Sequence, residues 1–278
     1  MRLGGNIPGG RLDPDSWIAA LRRRGYSAAY CPLSSQDDRA TVQAYREAAE
    51  RANVVIAEVG AWSNPLSPDQ ETRRLALTNC QEQLALADEV GARCCVNIAG
   101  SRSQQWDGPH PDNLIRETFD LIVMTVRAII DAVKPTHTYY TLETMPWVYP
   151  DSAESYLRLI KAIDRDRFAA HLDPVNLISS PQRFYDNGSV IRECFAKLGP
   201  YIRSCHAKDI ALSKKLTVHL DEVRPGLGGL DYRVFLRELN RLEPDTPLML
   251  EHLQTDEEYV AAASHIRSVA QAIGVSIL

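Results

Sequence analysis

Residues 168–175 read FAAHLDPV, a short apolar run closing on an acid, and the same form recurs at 138–145 (TYYTLETM), 201–210 (YIRSCHAKDI) and 247–253 (PLMLEHL). Each run has the aromatic and aliphatic content of a strand. Each finishes near a residue able to ligate a metal: Asp173, Glu143, His206 and Glu251. Parallel strands joined by helices bring their carboxyl ends to one side, so donors far apart in sequence meet in one place.

Outward from these four runs the whole chain alternates strand and helix patterns. Strands are expected near 2–7, 28–33, 54–61, 93–99, 137–145, 168–174, 201–207 and 247–252. Helices are expected near 14–24, 38–52, 68–90, 111–133, 152–163, 181–198, 231–240 and 256–273, with a break near Asn187-Gly188. Asp13-Pro14, Ser67-Pro68 and Ser180-Pro181 each put a capping oxygen before a proline that needs no N–H partner. In helix 68–90, Leu75, Leu84, Ala87 and Val90 share a face. No linker or low-complexity tract divides the chain, so residues 1–278 are expected to form one domain. Eight strand–helix units over this length predict a (β/α)8 TIM barrel rather than a doubly wound sheet of five or six strands. Gly4-Gly5 and Gly9-Gly10 lack the GxGxxG spacing of a dinucleotide site.

A formal charge of −5 and the absence of a long basic stripe argue against nucleic acid as a partner. The dense basic run, Arg22 to Arg24, falls at the end of a predicted helix, where the dipole favours it. The six cysteines form no CxxC pair and read as buried thiols in a reducing compartment. No apolar run reaches membrane-spanning length and the N-terminus lacks a signal-peptide pattern, so a cytoplasmic protein without membrane contact is expected. Asn187-Gly188-Ser189 matches a glycosylation sequon and reads as a turn.

Three carboxylates and one imidazole suit a hard or borderline divalent ion, Mn²⁺ first, with Mg²⁺, Co²⁺ or Zn²⁺ also compatible, and leave positions for substrate oxygens. A structural zinc would more often use thiolates. Taken singly, each acid has an ordinary alternative as a helix cap or surface ion pair. Four at the same level of four consecutive strands favour a metal site.

The set LET at 142–144, HLDPVN at 171–176, CHAKD at 205–209, PGLGGLDY at 225–232 and LEH at 250–252 resembles the xylose isomerase-like barrels. That family includes sugar isomerases, ketose 3-epimerases and class II apurinic endonucleases. The resemblance implies metal ligation by Glu143, Asp173, His206 and Glu251. It further implies that Glu143 and Glu251 act as the acid/base pair of a sugar isomerase or epimerase working through a metal-stabilised enediolate. The same chemistry ending in elimination, as a lyase or dehydratase on a keto-sugar or 3-keto-glycoside, is the alternative. One position departs. The family's 3-epimerases tend to carry histidine where this chain has Asn176, and an amide bonds a hydroxyl without shuttling a proton, which argues against a simple ketose 3-epimerase. The extra histidines and acids of the three-zinc endonucleases are not found. A non-catalytic sugar-binding barrel is a third option, disfavoured by the intact ligand set.

Around this set, period-two alternation puts His171 on the face of Asp173, as a hydrogen-bonding support or a satisfied core residue, and Lys208 on the face of His206 at the rim. Lys208 could meet substrate or pair with a loop acid. The long loop from Ala211 to Leu230 carries Arg224, placed to bind substrate or a neighbouring acid. Trp62, Trp106 and Trp147 follow predicted strand ends, where indoles can cover a sugar ring larger than a triose or pack under loops. His252, next to a ligand, should point away from it. The expected partner is a small sugar or sugar derivative, and a homo-oligomer is the expected state.

Overall fold

A computed structural model describes residues 1–8 and 10–278; Gly9 lies outside the described residues. Eight parallel strands close into a barrel: β1 (Arg2–Gly5), β2 (Ala28–Tyr30), β3 (Val55–Gly60), β4 (Cys94–Asn97), β5 (Tyr140–Glu143), β6 (Phe168–Leu172), β7 (Ile202–Ala207) and the last, β10 (Pro247–Leu250), which returns to pair with β1. This is the (β/α)8 architecture that the alternation predicts. Between β7 and the last barrel strand, β8 (Asp209–Leu212) and β9 (Leu220–Val223) form an antiparallel hairpin that the sequence reading treats as loop.

The helices are α1 (Pro14–Arg24), α2 (Arg39–Ala52), α3 (Gln70–Val90), α4 (Arg116–Val133), α5 (Ala153–Ile163), α6 (Pro181–Tyr185), α7 (Asn187–Leu198), α8 (Tyr232–Leu239) and α9 (Asp256–Ala272). Asp13 and Ser180 cap α1 and α6 as expected, each accepting a backbone N–H. At α3 the cap is Asp69 rather than Ser67, because the Asp69 carboxylate accepts Thr72 N and starts the helix two residues later. Leu84, Ala87 and Val90 are buried as expected and Ala76 and Cys80 extend their stripe, whereas Leu75 is exposed. Asn187-Gly188-Ser189 opens α7 just after a turn at Asp186.

One apolar core fills the space between strands and helices. Inside the barrel a smaller plug of Ala28, Ala57 and Met249 closes the floor. Gly4 makes room for it, since a Cβ there would stand 2.6 Å from Met249 Sδ and 2.5 Å from Ala28 O. Above this apolar floor the inward side chains turn polar. Among the described residues no helix is long and apolar enough to cross a membrane.

Candidate metal centre

Strand ends hold a site only if they cannot slide, and two residues lock the ends of β5 and β6. The Tyr156 hydroxyl, from α5, accepts the Leu142 and His171 N–H groups at 3.0 and 3.2 Å and reaches Leu142 O at 2.6 Å, wedging between the strands. One residue beyond Glu143, the Thr144 hydroxyl donates to Asp173 O at 2.7 Å and accepts Asp173 N at 3.1 Å. Asp173 then spends Oδ1 on Val175 N, the local turn that an Asp-Pro-Val sequence favours, and leaves Oδ2 for the site.

The four expected donors converge. Ligand atoms of Glu143, Asp173, His206 and Glu251 all lie within 4.8 Å of one another. His206 Nδ1 is 2.8 Å from Glu251 Oε1, 3.3 Å from Glu143 Oε1 and 3.9 Å from Asp173 Oδ2. Asp173 Oδ2 and Glu251 Oε1 are buried and are balanced only by ion-pair contacts with Lys208 and His206, surroundings in which carboxylate oxygens are costly to keep without cations. Lys208 supplies part of that compensation. Its ammonium, on a residue 2% exposed, stands 2.6 Å from Glu251, 2.8 Å from Asp173 and 3.5 Å from Glu143. The donor chemistry and the mutual distances fit a single divalent ion.

The electrostatics are strongly coupled. Burial would raise Glu143, yet the charges of Lys208 and His206 hold it down to about 2. Burial likewise opposes ionisation of Glu251, and His206 and Lys208 overcome it, keeping the carboxyl well below its usual range. Asp173 is fully enclosed, and burial together with Glu143 and Glu251 outweighs Lys208 and His206, pushing it up to about 6.

Beneath this set lies a group that the sequence reading misses. Glu58, 2% exposed on β3, is 3.0 Å from His171 Nε2 and 3.3 Å from His206 Nε2, and it also accepts the Ser204 hydroxyl. The two imidazoles meet edge to face at 4.1 Å. Burial resists the Glu58 charge, but His171 and His206 hold its carboxyl well below the ordinary range. Glu58 therefore fixes the imidazole of His206 from below, with Nδ1 turned toward the three carboxylates. His171 supports the centre through its hydrogen bond to Glu58 and its edge-to-face contact with His206. The available signal was one acid inside the otherwise apolar VIAEVG.

Over the donors opens a cavity of about 610 Å³, lined by Glu143, Asn176, Lys208, Glu251 and all three predicted indoles, Trp62, Trp106 and Trp147. Asn176 donates to Glu143 Oε1 at 3.0 Å and to Thr144 O at 3.1 Å, so it orients a donor as well as lining the wall. Lys208 is aimed inward among the donors and not, as expected, at an open rim. Arg224 takes a different place from its expected one: it donates to Pro225 O and is not among the lining residues. His252 also departs from expectation. The strand has ended at Leu250, a positive φ of 55° turns the residue back, and its ring lines the cavity 3.1 Å from Glu222 of β9. Asp209 organises the glycine-rich loop, accepting the N–H groups of Gly226, Gly228 and Leu230 at 2.9 to 3.0 Å. A Cβ at Gly228 would fall 2.3 Å from Asp209 Oδ1, which explains that glycine.

With this geometry in view, a family model described as a xylose isomerase-like TIM barrel matches residues 18–269. The chain belongs to the xylose isomerase-like TIM barrel family. Nothing among curated proteins matches the sequence. Solved structures resemble it across the barrel. Endonuclease IV from Thermus thermophilus has a TM-score of 0.73 at 14% identity, covering 98% of this chain and 100% of that one. D-psicose 3-epimerase from Clostridium cellulolyticum, solved with D-tagatose, has 0.70 at 12%, covering 99% and 100%. A xylose isomerase-like TIM barrel protein from Mycobacterium smegmatis, in complex with magnesium, has 0.67 at 18%, covering 98% and 96%. At these identities the likeness is one of fold, and family members of unlike chemistry share it.

Proposed function

We propose that this chain is a divalent-metal-dependent sugar isomerase or epimerase, with Glu143, Asp173, His206 and Glu251 as ligands and Glu143 and Glu251 as the groups that move the proton. The observation carrying this reading is the convergence of the four buried or nearly buried donors at the base of an open cavity. Mn²⁺ is the expected ion. A bound ion of this kind supplies Lewis acidity toward a carbonyl and its neighbouring hydroxyl, acidifying the C–H between them.

The residues of the chain do the rest. The ionised Glu143 carboxylate, oriented by Asn176, takes the proton from the sugar carbon, Glu251 carrying a proton taken up from solvent delivers that proton from the other side, and Glu143 then releases its own to solvent. Enolisation leaves negative charge on oxygen, and the Lys208 ammonium lining the same cavity stabilises it. Both glutamates are weak bases while paired with cations. Sugar binding that displaces water raises their basicity when it is needed. Asn176 binds a hydroxyl without relaying protons, so turnover depends on the two glutamates.

The test is proton exchange. Incubation of the metal-loaded enzyme with a panel of ketoses and 3-keto-glycosides in deuterated water should place deuterium in a sugar of unchanged composition. Glu143→Gln and Glu251→Gln should each reduce exchange by about 10²–10⁴-fold, the usual worth of a general acid or base. Unchanged exchange in both variants would remove the pair.

A further inference from the structure

The cavity above the donors is larger and more aromatic than a single sugar ring requires. At about 610 Å³ it falls within the roughly 300–1,000 Å³ of pockets that hold drug-sized ligands. Its polar groups are gathered at the base with Glu143, Asn176, Lys208 and Glu251, whereas the outer wall carries Trp62, Trp106 and Trp147 together with Ile98, Met145 and Pro146. Each indole is between 38% and 44% exposed, although tryptophan is ordinarily well buried. Two of them are fixed in place rather than loosely attached. Trp147 Nε1 donates to Asp107 O at 2.8 Å, tying two loops together. Trp62 folds back over Gly60, where a Cβ would stand 2.3 Å from its Nε1.

Charge narrows the occupant further. The lining contains Asp107, Glu143, Glu222 and Glu251 against two cationic groups, Lys208 and His252. Both are already engaged, Lys208 with the donor carboxylates and His252 with Glu222. Arg224 does not line the cavity. Even with a divalent ion offsetting the base, the outer wall offers no free cation for a phosphate, and Asp107 and Glu222 repel one.

We propose that the substrate is an uncharged keto-glycoside, an oxidised sugar ring bearing a planar apolar aglycone, with the sugar over Glu143 and Glu251 and the aglycone against Trp62, Trp106 and Trp147. This substrate class rests on the proton-transfer reading for its orientation. Its recognition elements stand apart from that chemistry: flat aromatic walls reward a flat apolar group, and the acidic rim rejects phosphorylated sugars.

Three of the four tryptophans line the cavity and the fourth, Trp17, is buried against Tyr45, so intrinsic fluorescence reports occupancy directly. The Mn²⁺-loaded protein is titrated with phenyl β-D-glucopyranoside, methyl β-D-glucopyranoside and glucose 6-phosphate. The phenyl glycoside should bind about tenfold more tightly than the methyl one, and the phosphate ester most weakly. Trp147→Leu should narrow the phenyl-to-methyl gap. Equal affinity for the two glycosides, or tightest binding of the phosphate ester, overturns the proposal without recourse to any variant. Solvent-deuterium exchange separates the two readings. Exchange into a free ketose with no phenyl preference overturns the substrate class and leaves proton transfer standing. A phenyl preference without exchange into the phenyl 3-keto-glucoside supports the class and removes proton transfer.

Discussion

His206 belongs to two clusters at once, and they differ in what surrounds them. Below it, Glu58, His171 and Ser204 form a closed set in which the Glu58 oxygens are occupied by hydrogen bonds. Above it, Glu143, Asp173 and Glu251 face one another across a few ångströms, held together by the Lys208 ammonium, with a cavity overhead. Residue types and burial are nearly the same in both. What separates a support from a binding site here is access: Glu58, His171 and Ser204 are enclosed by protein, and Glu143 and Glu251 open on a cavity where a ligand can reach their oxygens.

Breaking the shared member should have the largest effect. His206→Ala removes a donor from the upper set and one of the three partners of Glu58 in the lower one. Mn²⁺ affinity should then fall by more than the 10–100-fold typical of outer partners. Stability should fall by about 1–3 kcal/mol, the usual cost of leaving a buried polar group short of one hydrogen-bond partner. Calorimetric metal titration and urea unfolding measure the two losses separately.

The upper cluster alone is probed by Lys208→Met. In metal-free protein three carboxylates then lose their buried ammonium, so the melting temperature should drop, and Mn²⁺ should restore most of the loss. Glu58→Gln probes the lower cluster, and its signature is different. Metal affinity should weaken about 10–100-fold, because the imidazole is less firmly held, and added metal should not abolish the difference. If Lys208→Met and Glu58→Gln respond alike to metal, the distinction between the clusters is lost.

Glu58 and Asp173 should also respond to acid with opposite sign in metal-free protein, Glu143 and Glu251 sharing the sign of Glu58. Glu58 is held below its ordinary value of 4.5, so its contribution is present above that pH and is lost as pH falls. Asp173 is raised from 3.8 to about 6, so the native state binds the extra proton between those values and its contribution is lost as pH rises through them. Stability–pH curves for Glu58→Gln and Asp173→Asn should each lack one of these slopes. This is the smallest of the expected effects.

The barrel and the four donors are legible in sequence because each donor closes an apolar run, and strand order alone brings such ends together. Glu58 is not legible in the same way. Parallel barrel strands are buried on both faces, so alternation in VIAEVG cannot say which side chains point inward, and a mid-strand acid carries no motif. The β8–β9 hairpin escapes for another reason: its strands are short, half-exposed and interrupted by the polar stretch around Lys214 and Lys215. His252 is misjudged because the period-two rule was carried one residue past the end of the strand, where a left-handed backbone reverses the side chain. Arg224 was placed by loop membership alone, and loop membership does not fix direction.

The measurement bearing most directly on the central claim is calorimetric titration of metal-free protein with Mn²⁺, for the native chain and for Asp173→Asn. One ion per chain in the native protein, with binding at least about a hundredfold weaker in the variant, is the expected result. Binding that is absent from the native protein, or unaltered by Asp173→Asn, would contradict a shared ion among Glu143, Asp173, His206 and Glu251.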